Sequence, residues 1–209
     1  MTTPRSIGFA AADDAEELAR AEVYGLLAAL FYAPPTAAMH AQFQVAVTEA
    51  PAAGGFLERA WGELVAAARH LPRDEIAREY DRLFQGVGKP EIFLYASFHI
   101  AGRLNEKPLV ALRHTLRELG IAKSEDVSET EDHIASLCEV MRYLIAGDDV
   151  AAANLATQRR FFDAHLRPWV GSLFDAIEAH PEADFYAVLA RFARDFFAVE
   201  QQAFELLDS

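Results

Sequence analysis

Residues 128–147, SETEDHIASLCEVMRYLIAG, set a cluster of acids and one histidine ahead of a run whose apolar side chains recur at helical spacing. Ile134, Leu137, Cys138, Met141, Leu144 and Ile145 fall at i, i+3, i+4, i+7 and onward, so they share one face of an α-helix. A chain carrying such a stripe has to cover it with a second apolar surface. Ser128 and Glu131 have the S-x-x-E spacing of a capping box, which predicts a helix beginning at Ser128, and Gly147 is expected as its left-handed stop. At about 100° per residue, Asp132 is expected opposite the stripe and His133 on its flank. Neither is then needed for packing. Acids in a first helical turn also complement the helix dipole, which alone would account for Glu129, Glu131 and Asp132.

The same period recurs along the chain. Asp13 or Asp14 is expected to cap a first helix with Val23, Leu26, Leu27, Leu30 and Phe31 on one face, stopped by Pro34 and Pro35. Thr36 should cap a second helix reaching about Ala50, before Pro51 and the Gly54-Gly55 turn. Phe56, Leu57, Ala60, Trp61, Leu64, Val65 and Ala68 form a broad stripe that ends at Pro72. A shorter helix over 74–84 buries Ile76, Tyr80 and Leu83, with Phe84 at the edge of the stripe. A glycine- and proline-rich loop, 85–94, follows.

Pro108 at a first helical position opens a helix with Leu109, Leu112, Leu116 and Leu119 on one side and Gly120 as its stop. Residues 123–130 carry no apolar period beyond Val127 and read as a polar linker, with a hinge expected near 121–130. Asp148 or Asp149 should cap a helix to about His165, Pro168 should begin another with Trp169, Leu173 and Ile177, and Pro181 precedes a last long one. No period-2 strand is left over. The expected fold is all-α, a single globular bundle of about nine to ten helices, with an N-terminal part over about 13–120 and a C-terminal part over about 128–207.

Composition narrows the partners. With 32 acids against 19 bases the net charge of −13 repels nucleic acid and anionic membrane and attracts a cationic peptide. The one cysteine, Cys138, excludes an internal disulfide and reads as a small buried hydrophobe. The apolar stretch after Arg5 is too short for an export signal, and Pro34, Pro35 and polar residues interrupt the uncharged run 23–48, so no membrane span and a cytoplasmic location are expected.

Catalytic chemistry is hard to place. None of the seven histidines follows a glutamate by three positions, as a di-iron bundle requires, and one cysteine cannot build a thiolate-rich metal site. The glycines near Lys89 lack P-loop spacing. His133 and Cys138 diverge by about 140° around a helix, which disfavours a nucleophilic pair. No catalytic residue, metal or cofactor is expected. His99 and His114 read as ordinary helix histidines, and His165 as the tie of a helix end.

ETEDH followed by an apolar helix closely resembles the E-P-x-D-H motif of the TorD/DmsD/NarJ family, the chaperones of molybdoenzyme maturation. EYDRLFQGVGKP at 79–90 and Tyr95-Ala96-Ser97-Phe98 are similar to the family's Y-x-x-L-F-x-G segment and its aromatic-x-Ser-aromatic element. FFDAHLRPWVGSLFDAI at 161–177 and ADFYAVLARFARDFFAVE at 183–200 are similar to its C-terminal helices. These elements, in order, cover residues 79–200. Thr130 stands where the motif usually has proline, and Leu94 where a proline often precedes the aromatic.

The resemblance implies a cytoplasmic chaperone that holds the apo catalytic subunit of a molybdopterin oxidoreductase, or its twin-arginine signal peptide, until cofactor insertion. Segment 88–113 looks most like members accompanying formate dehydrogenases. Such a ligand has a cationic head and an apolar body, so its receptor needs carboxylates beside an apolar groove. Tyr80, Leu83, Phe84, Pro90, Phe93, Tyr95, Ser97 and Phe98 are the groove candidates, Glu129, Glu131, Asp132 and Asp81 are the candidates for receiving arginines, and His133 is a further candidate for client binding. Ordinary core burial is an equal reading for each aromatic. The family permits monomers and domain-swapped dimers. A helical hydrolase or nucleotide-binding protein using His133 and its neighbouring acids, and a stable subunit of a larger complex, remain as rival readings.

Overall fold

Helices with one apolar face bury it against one another, and that is how the computed structural model of this chain is built. It describes residues 12–47, 57–86, 88–124, 128–147 and 153–206. Among these are ten α-helices: α1 (Ala12–Tyr32), α2 (Ala37–Val45), α3 (Glu58–His70), α4 (Arg73–Tyr80), α5 (Ala96–Ala101), α6 (Lys107–Glu118), α7 (Ile134–Ala146), α8 (Leu155–His165), α9 (Val170–Glu178) and α10 (Phe185–Leu206). No strand is found among the described residues, only one isolated antiparallel bridge between Tyr95 and His133. The all-α expectation therefore holds.

Two helix groups form the centre. α7 lies along α1, the most extensive helix pair, and α10 packs against α9, α3 and α4. The stripe expected on α7 is the buried one, from Ile134 through Leu137, Cys138, Met141 and Leu144 to Ile145, with Ala135 added. On α1 the face rotates slightly from the expected one: Leu27, Leu30 and Phe31 are buried with Ala21, Tyr24 and Ala28, whereas Val23 and Leu26 are only partly covered. Tyr24 can turn inward because its hydroxyl donates to Glu200 Oε2 at 3.0 Å. Glu200 also receives Arg20 Nε at 2.6 Å and Nη2 at 2.9 Å, and Arg20 Nη2 reaches Gln158 Oε1 at 3.2 Å. Gln158 in turn donates to the Leu144 carbonyl oxygen at 3.1 Å, so one polar knot joins α1, α7, α8 and α10.

Several helix ends differ from the sequence expectation. Thr36 does cap α2, accepting from the Met39 amide at 3.1 Å, but α2 ends at Val45. Gly120 is left-handed, with φ of 68°, as expected of a helix stop. Gly147 is not left-handed but extended at φ −75°, and its amide closes on the Tyr143 carbonyl oxygen at 2.8 Å. Glycine is needed there for close approach, since a Cβ would collide with that same carbonyl oxygen. Asn154 caps α8, accepting from Thr157 N, and α9 begins at Val170, after Pro168. The expected roles of Pro51, Gly54, Gly55, Phe56, Val127, Asp148 and Asp149, and the side chains of Asp13 and Asp14, lie outside the described residues.

The helix expected over 74–84 is in two parts: α4 gives way at Asp81 to a π-helical turn, Asp81–Gln85, closed by Gly86 N donating to Asp81 O at 2.8 Å. Gly86 has φ of 60°, and a side chain there would strike the Lys89 carbonyl oxygen. Just before this turn, the Glu79 carboxylate is buried and accepts from the amides of Asp184, Phe185 and Tyr186 at 2.9, 3.0 and 2.8 Å. It therefore caps α10 from 105 residues away in sequence, the service an N-cap residue performs locally. Burial pushes its carboxyl above the ordinary range, and the three amides oppose that rise. Replacing Glu79 with Ala strands three amide donors, two of them buried, so Glu79→Ala should lower unfolding free energy by about 3 kcal/mol, read by urea titration. A loss below about 0.5 kcal/mol, typical of a surface change, would show that the cap contributes nothing.

Candidate functional site

The bridge between Tyr95 and His133 joins the two segments that carry most of the site candidates. Ala96 N donates to Asp132 O at 3.0 Å and Ile134 N to Leu94 O at 2.9 Å, so 94–96 and 132–134 run antiparallel for one step. Asp132 makes the junction specific. Its Oδ2 accepts from the Ser97 amide at 2.9 Å and from the Ser97 hydroxyl, and its Oδ1 accepts from Thr130 Oγ1 at 2.7 Å. Both Asp132 and Ser97 are buried, at 1% and 0% exposure. This corrects the expectation that Asp132 faces away from the core. Thr130 supplies a hydroxyl that the proline usual at this place in the motif could not.

The predicted capping box does not form. α7 begins at Ile134 with His133 as its N-cap, Nδ1 accepting from Ala135 N at 3.2 Å and the His133 carbonyl oxygen from Leu137 N at 3.1 Å. The reason lies in what Ser128 and Glu131 do instead. Ser128 Oγ donates to Glu129 Oε1 at 3.2 Å, while Glu131 takes a bidentate pair from Arg113 of α6, Nε at 3.0 Å and Nη2 at 2.8 Å. Arg113 holds the Glu131 carboxyl below its usual range. Glu129 accepts from the Tyr95 hydroxyl, and its carbonyl oxygen accepts from Lys123 Nζ at 2.8 Å. Burial first, then the Glu129 contact, push the Tyr95 phenol far above its usual range.

His133 is 4% exposed, not on an open flank. Its ring meets Tyr95 edge-on at 5.0 Å and Tyr32 at 6.5 Å. Burial lowers its pKa from 6.5 to about 4, against the opposing pull of Glu129 and Asp132. Tyr32 is 44% exposed and was absent from the sequence candidates. A surface tyrosine on a helix end carries no pattern that would single it out.

The other candidates divide into two groups. Tyr80, Leu83 and Phe84 are core: Tyr80 stacks edge-on with Phe84 at 5.3 Å, and Tyr186 meets both. The Tyr80 hydroxyl donates to the backbone at Phe31 and Tyr32, and burial, with Glu129 and Asp81 nearby, pushes it up to about 12. Phe93 and Phe98 instead stack on each other at 4.2 Å with half-buried rings, and Lys89 Nζ lies 5.7 Å from the Phe93 centroid. Ile100 and Leu104, beyond them, are 49% and 41% exposed. Pro90 is half-buried and Asp81 exposed. His99 braces this shelf, bonding Phe93 O at 2.7 Å and Ser172 Oγ at 2.8 Å. His165 stands at the end of α8, its Nε2 paired with Thr115 Oγ1 of α6 at 2.9 Å and its carbonyl oxygen accepting from Trp169 Nε1 at 2.7 Å.

Among the described residues no group of three or more His, Cys, Asp or Glu side chains could hold a metal, and no helix is long and apolar enough to cross a membrane. Two surface depressions, of about 290 and 780 Å³, lie elsewhere, on α3, α9 and α10 and on α8. What the site offers is an apolar shelf beside internally bonded carboxylates.

The nitrate reductase delta subunit family model matches residues 52–175. A relative named chaperone protein TorD, from Vibrio cholerae serotype O1 (strain ATCC 39541), is 26% identical over 204 residues, 90% of this chain and 93% of its own. The TorD chaperone of Photobacterium profundum is 28% identical over 120 residues, 54% of this chain and 56% of its own length. The chain belongs to the nitrate reductase delta subunit family, that of the TorD and NarJ proteins. It is a maturation chaperone of molybdoenzymes and not an enzyme, which sets aside the hydrolase reading.

Two outcomes follow from the junction. Asp132→Ala should cost about 3 kcal/mol by leaving the Ser97 amide buried and unpaired, whereas Asp132→Asn, which keeps one acceptor oxygen, should cost about 1 kcal/mol; equal and negligible losses in urea titrations would contradict the burial. His133, with its pKa depressed in the fold, contributes stability that is present above its unfolded value of 6.5 and lost as pH falls toward 4. Between about pH 7 and 4.5 the wild type should therefore lose about 2 kcal/mol relative to His133→Asn, whose side chain caps but does not titrate. Parallel pH dependences for the two proteins would refute this.

Proposed function

We propose that this chaperone binds the twin-arginine signal peptide and the cofactor-free catalytic subunit of a molybdopterin oxidoreductase in the cytoplasm, and releases them after cofactor insertion. The observation that carries the reading is the half-buried Phe93–Phe98 stack, extended by exposed Ile100 and Leu104. A contiguous apolar shelf exposed on a protein surface is suited to docking, and an apolar segment of a client fits it. The acids lie next to it in the fold, since Ser97 is bonded to Asp132 and the partly buried Glu131 is the residue just before Asp132. Their charge, within an overall −13, draws a cationic head toward the shelf. A formate dehydrogenase is the client that the 88–113 segment favours.

The internal bonds refine which acids receive arginine. Asp132 is fully committed and buried, which leaves Glu129, Glu131 and the exposed Asp81; the first two can each exchange an internal donor for a client guanidinium. Isothermal titration with a synthetic twin-arginine peptide should show affinity falling, but not vanishing, between about 0.05 and 0.5 M salt, because screening removes only the charged part. Changing both arginines to glutamine should flatten that dependence. Phe98→Ala should weaken binding about fivefold or more at every salt concentration. Affinity indifferent to salt, arginines and Phe98 alike would sink the proposal.

A further inference from the structure

Helix α6 and the turn before it invert the charge of this chain. Five of the 19 basic residues but only two of the 32 acids lie between 99 and 124. Leu109, Leu112 and Leu116 are buried, so at about 100° per residue Lys107, Val110, His114 and Arg117 share the opposite face, and all four are exposed. Arg117 suits the C-terminal end of the helix dipole, but Lys107 is the first residue of α6, where the dipole favours an acid, and the first turn holds none. Glu106, at the N-cap, makes no side-chain cap bond and turns its carboxylate to Arg103 at 3.1 Å. Val110 is 63% exposed, so its β-branched side chain lowers helix propensity and gains little burial in return. The fold itself has little use for these choices.

Two of the cations on this helix are already engaged, Arg113 by Glu131 on the flank and His114 by Glu118 at 3.2 Å. Lys107 and Arg117 have no carboxylate partner among the described residues, and Arg117 Nε bonds only the Arg113 carbonyl oxygen, at 3.0 Å. At about 1.5 Å per residue they stand about 15 Å apart along the axis, with Val110 between them. Leu104, set between left-handed Gly102 and Asn105, carries the exposed apolar surface on toward the Phe93–Phe98 shelf. A ridge that is apolar in the middle and cationic at both ends fits a helix whose own face is apolar in the middle and acidic at both ends. An anionic membrane or a nucleic acid would match the cations too, but either brings an extended field against a molecule of net charge −13. A short acidic segment meets only what lies within a Debye length, about 8 Å in physiological salt.

We propose that the outer face of α6 is a docking surface for an acidic amphipathic helix of a partner protein, with Lys107 and Arg117 receiving its carboxylates and Val110 its apolar stripe. The face borders the proposed signal-peptide shelf without being part of it, and its ligand has the opposite charge.

The probe is a synthetic helical peptide of about 18 residues, five turns, with leucines along one stripe and glutamates at both ends of it, titrated into the full chain by fluorescence anisotropy. A second peptide has lysines in place of the glutamates. The acidic peptide should bind and the lysine peptide should not. Lys107→Glu combined with Arg117→Glu should weaken the acidic peptide about tenfold or more, and Val110→Ser about threefold. No binding of the acidic peptide, an equal response to the lysine peptide, or equal affinity for wild type and the double variant overturns the proposal. Vesicles of phosphatidylglycerol and phosphatidylcholine in equal parts should leave the protein in solution; sedimentation with them that the double variant loses assigns the face to a membrane and overturns the partner helix. Should the double variant not fold, the wild type decides, because Lys107 is one of three lysines, with Lys89 and Lys123. Acylation followed by mass spectrometry should show the acidic peptide shielding Lys107 most, and equal shielding of all three, or of Lys89 alone, refutes the site. Each of these outcomes leaves the twin-arginine titration unaffected, so the two readings fail separately.

Discussion

A carboxylate taken out of water has to find donors, and that requirement fixes the main junctions of this bundle. Three acids are buried among the described residues, Glu79, Asp132 and Glu200. Each is matched by groups from a distant part of the chain. Glu200 draws Arg20 and Tyr24 of α1 onto α10, Glu79 supplies the start of α10 with the acceptor it lacks, and Asp132 pins Ser97 to the start of α7. Apolar burial makes the helices associate, but it is tolerant of small slides and rotations. Directed bonds to buried oxygen are not, so these acids set the register in which the apolar faces meet.

The same requirement shapes the proposed recognition surface. Because Asp132 is spent on Ser97 and Thr130, it cannot also serve a ligand, and its structural role brings the aromatic segment to the acidic one. Glu129 and Glu131 are held by a phenol and a guanidinium that remain partly in contact with solvent. Such bonds are easily exchanged, being weakened by competition with water. The division is between one acid that builds the site and two that can trade partners. The half-buried Phe93–Phe98 shelf lies beside both kinds, which is the arrangement a ligand with one charged and one apolar end requires.

The helical period made most of the fold legible. The α7 stripe is the buried one, and Leu109, Leu112 and Leu116 on α6 and Trp169, Leu173 and Ile177 near α9 are buried where the spacing puts them. What periodicity cannot see is a bond to a residue far along the chain. Ser128 and Glu131 have the letters of a capping box, but Arg113 claims Glu131 and Ser97 claims Asp132, so the helix starts at Ile134. Reading Asp132 as a helix residue then turned it outward, when it lies ahead of the helix and inside. Glu79, one letter in the EYDRLF segment, gave no local sign that its partners were the amides at 184–186. Tyr80, Leu83 and Phe84 belong to the core and Phe93 and Phe98 to a surface shelf, a distinction that needs the third dimension because all five are apolar letters near one loop.

Cys138 lies on the buried side of α7, fully covered, in the interface with α1, and burial holds its thiol protonated. A reagent can alkylate it only after the packing around α7 has opened, since the thiolate must form and be reached. As the chain has no second thiol, its labelling rate reports the openings, local or global, that uncover this face of α7. The molecule thus carries its own clock for conformational opening, one that needs no introduced probe and can be read with a client in place or absent.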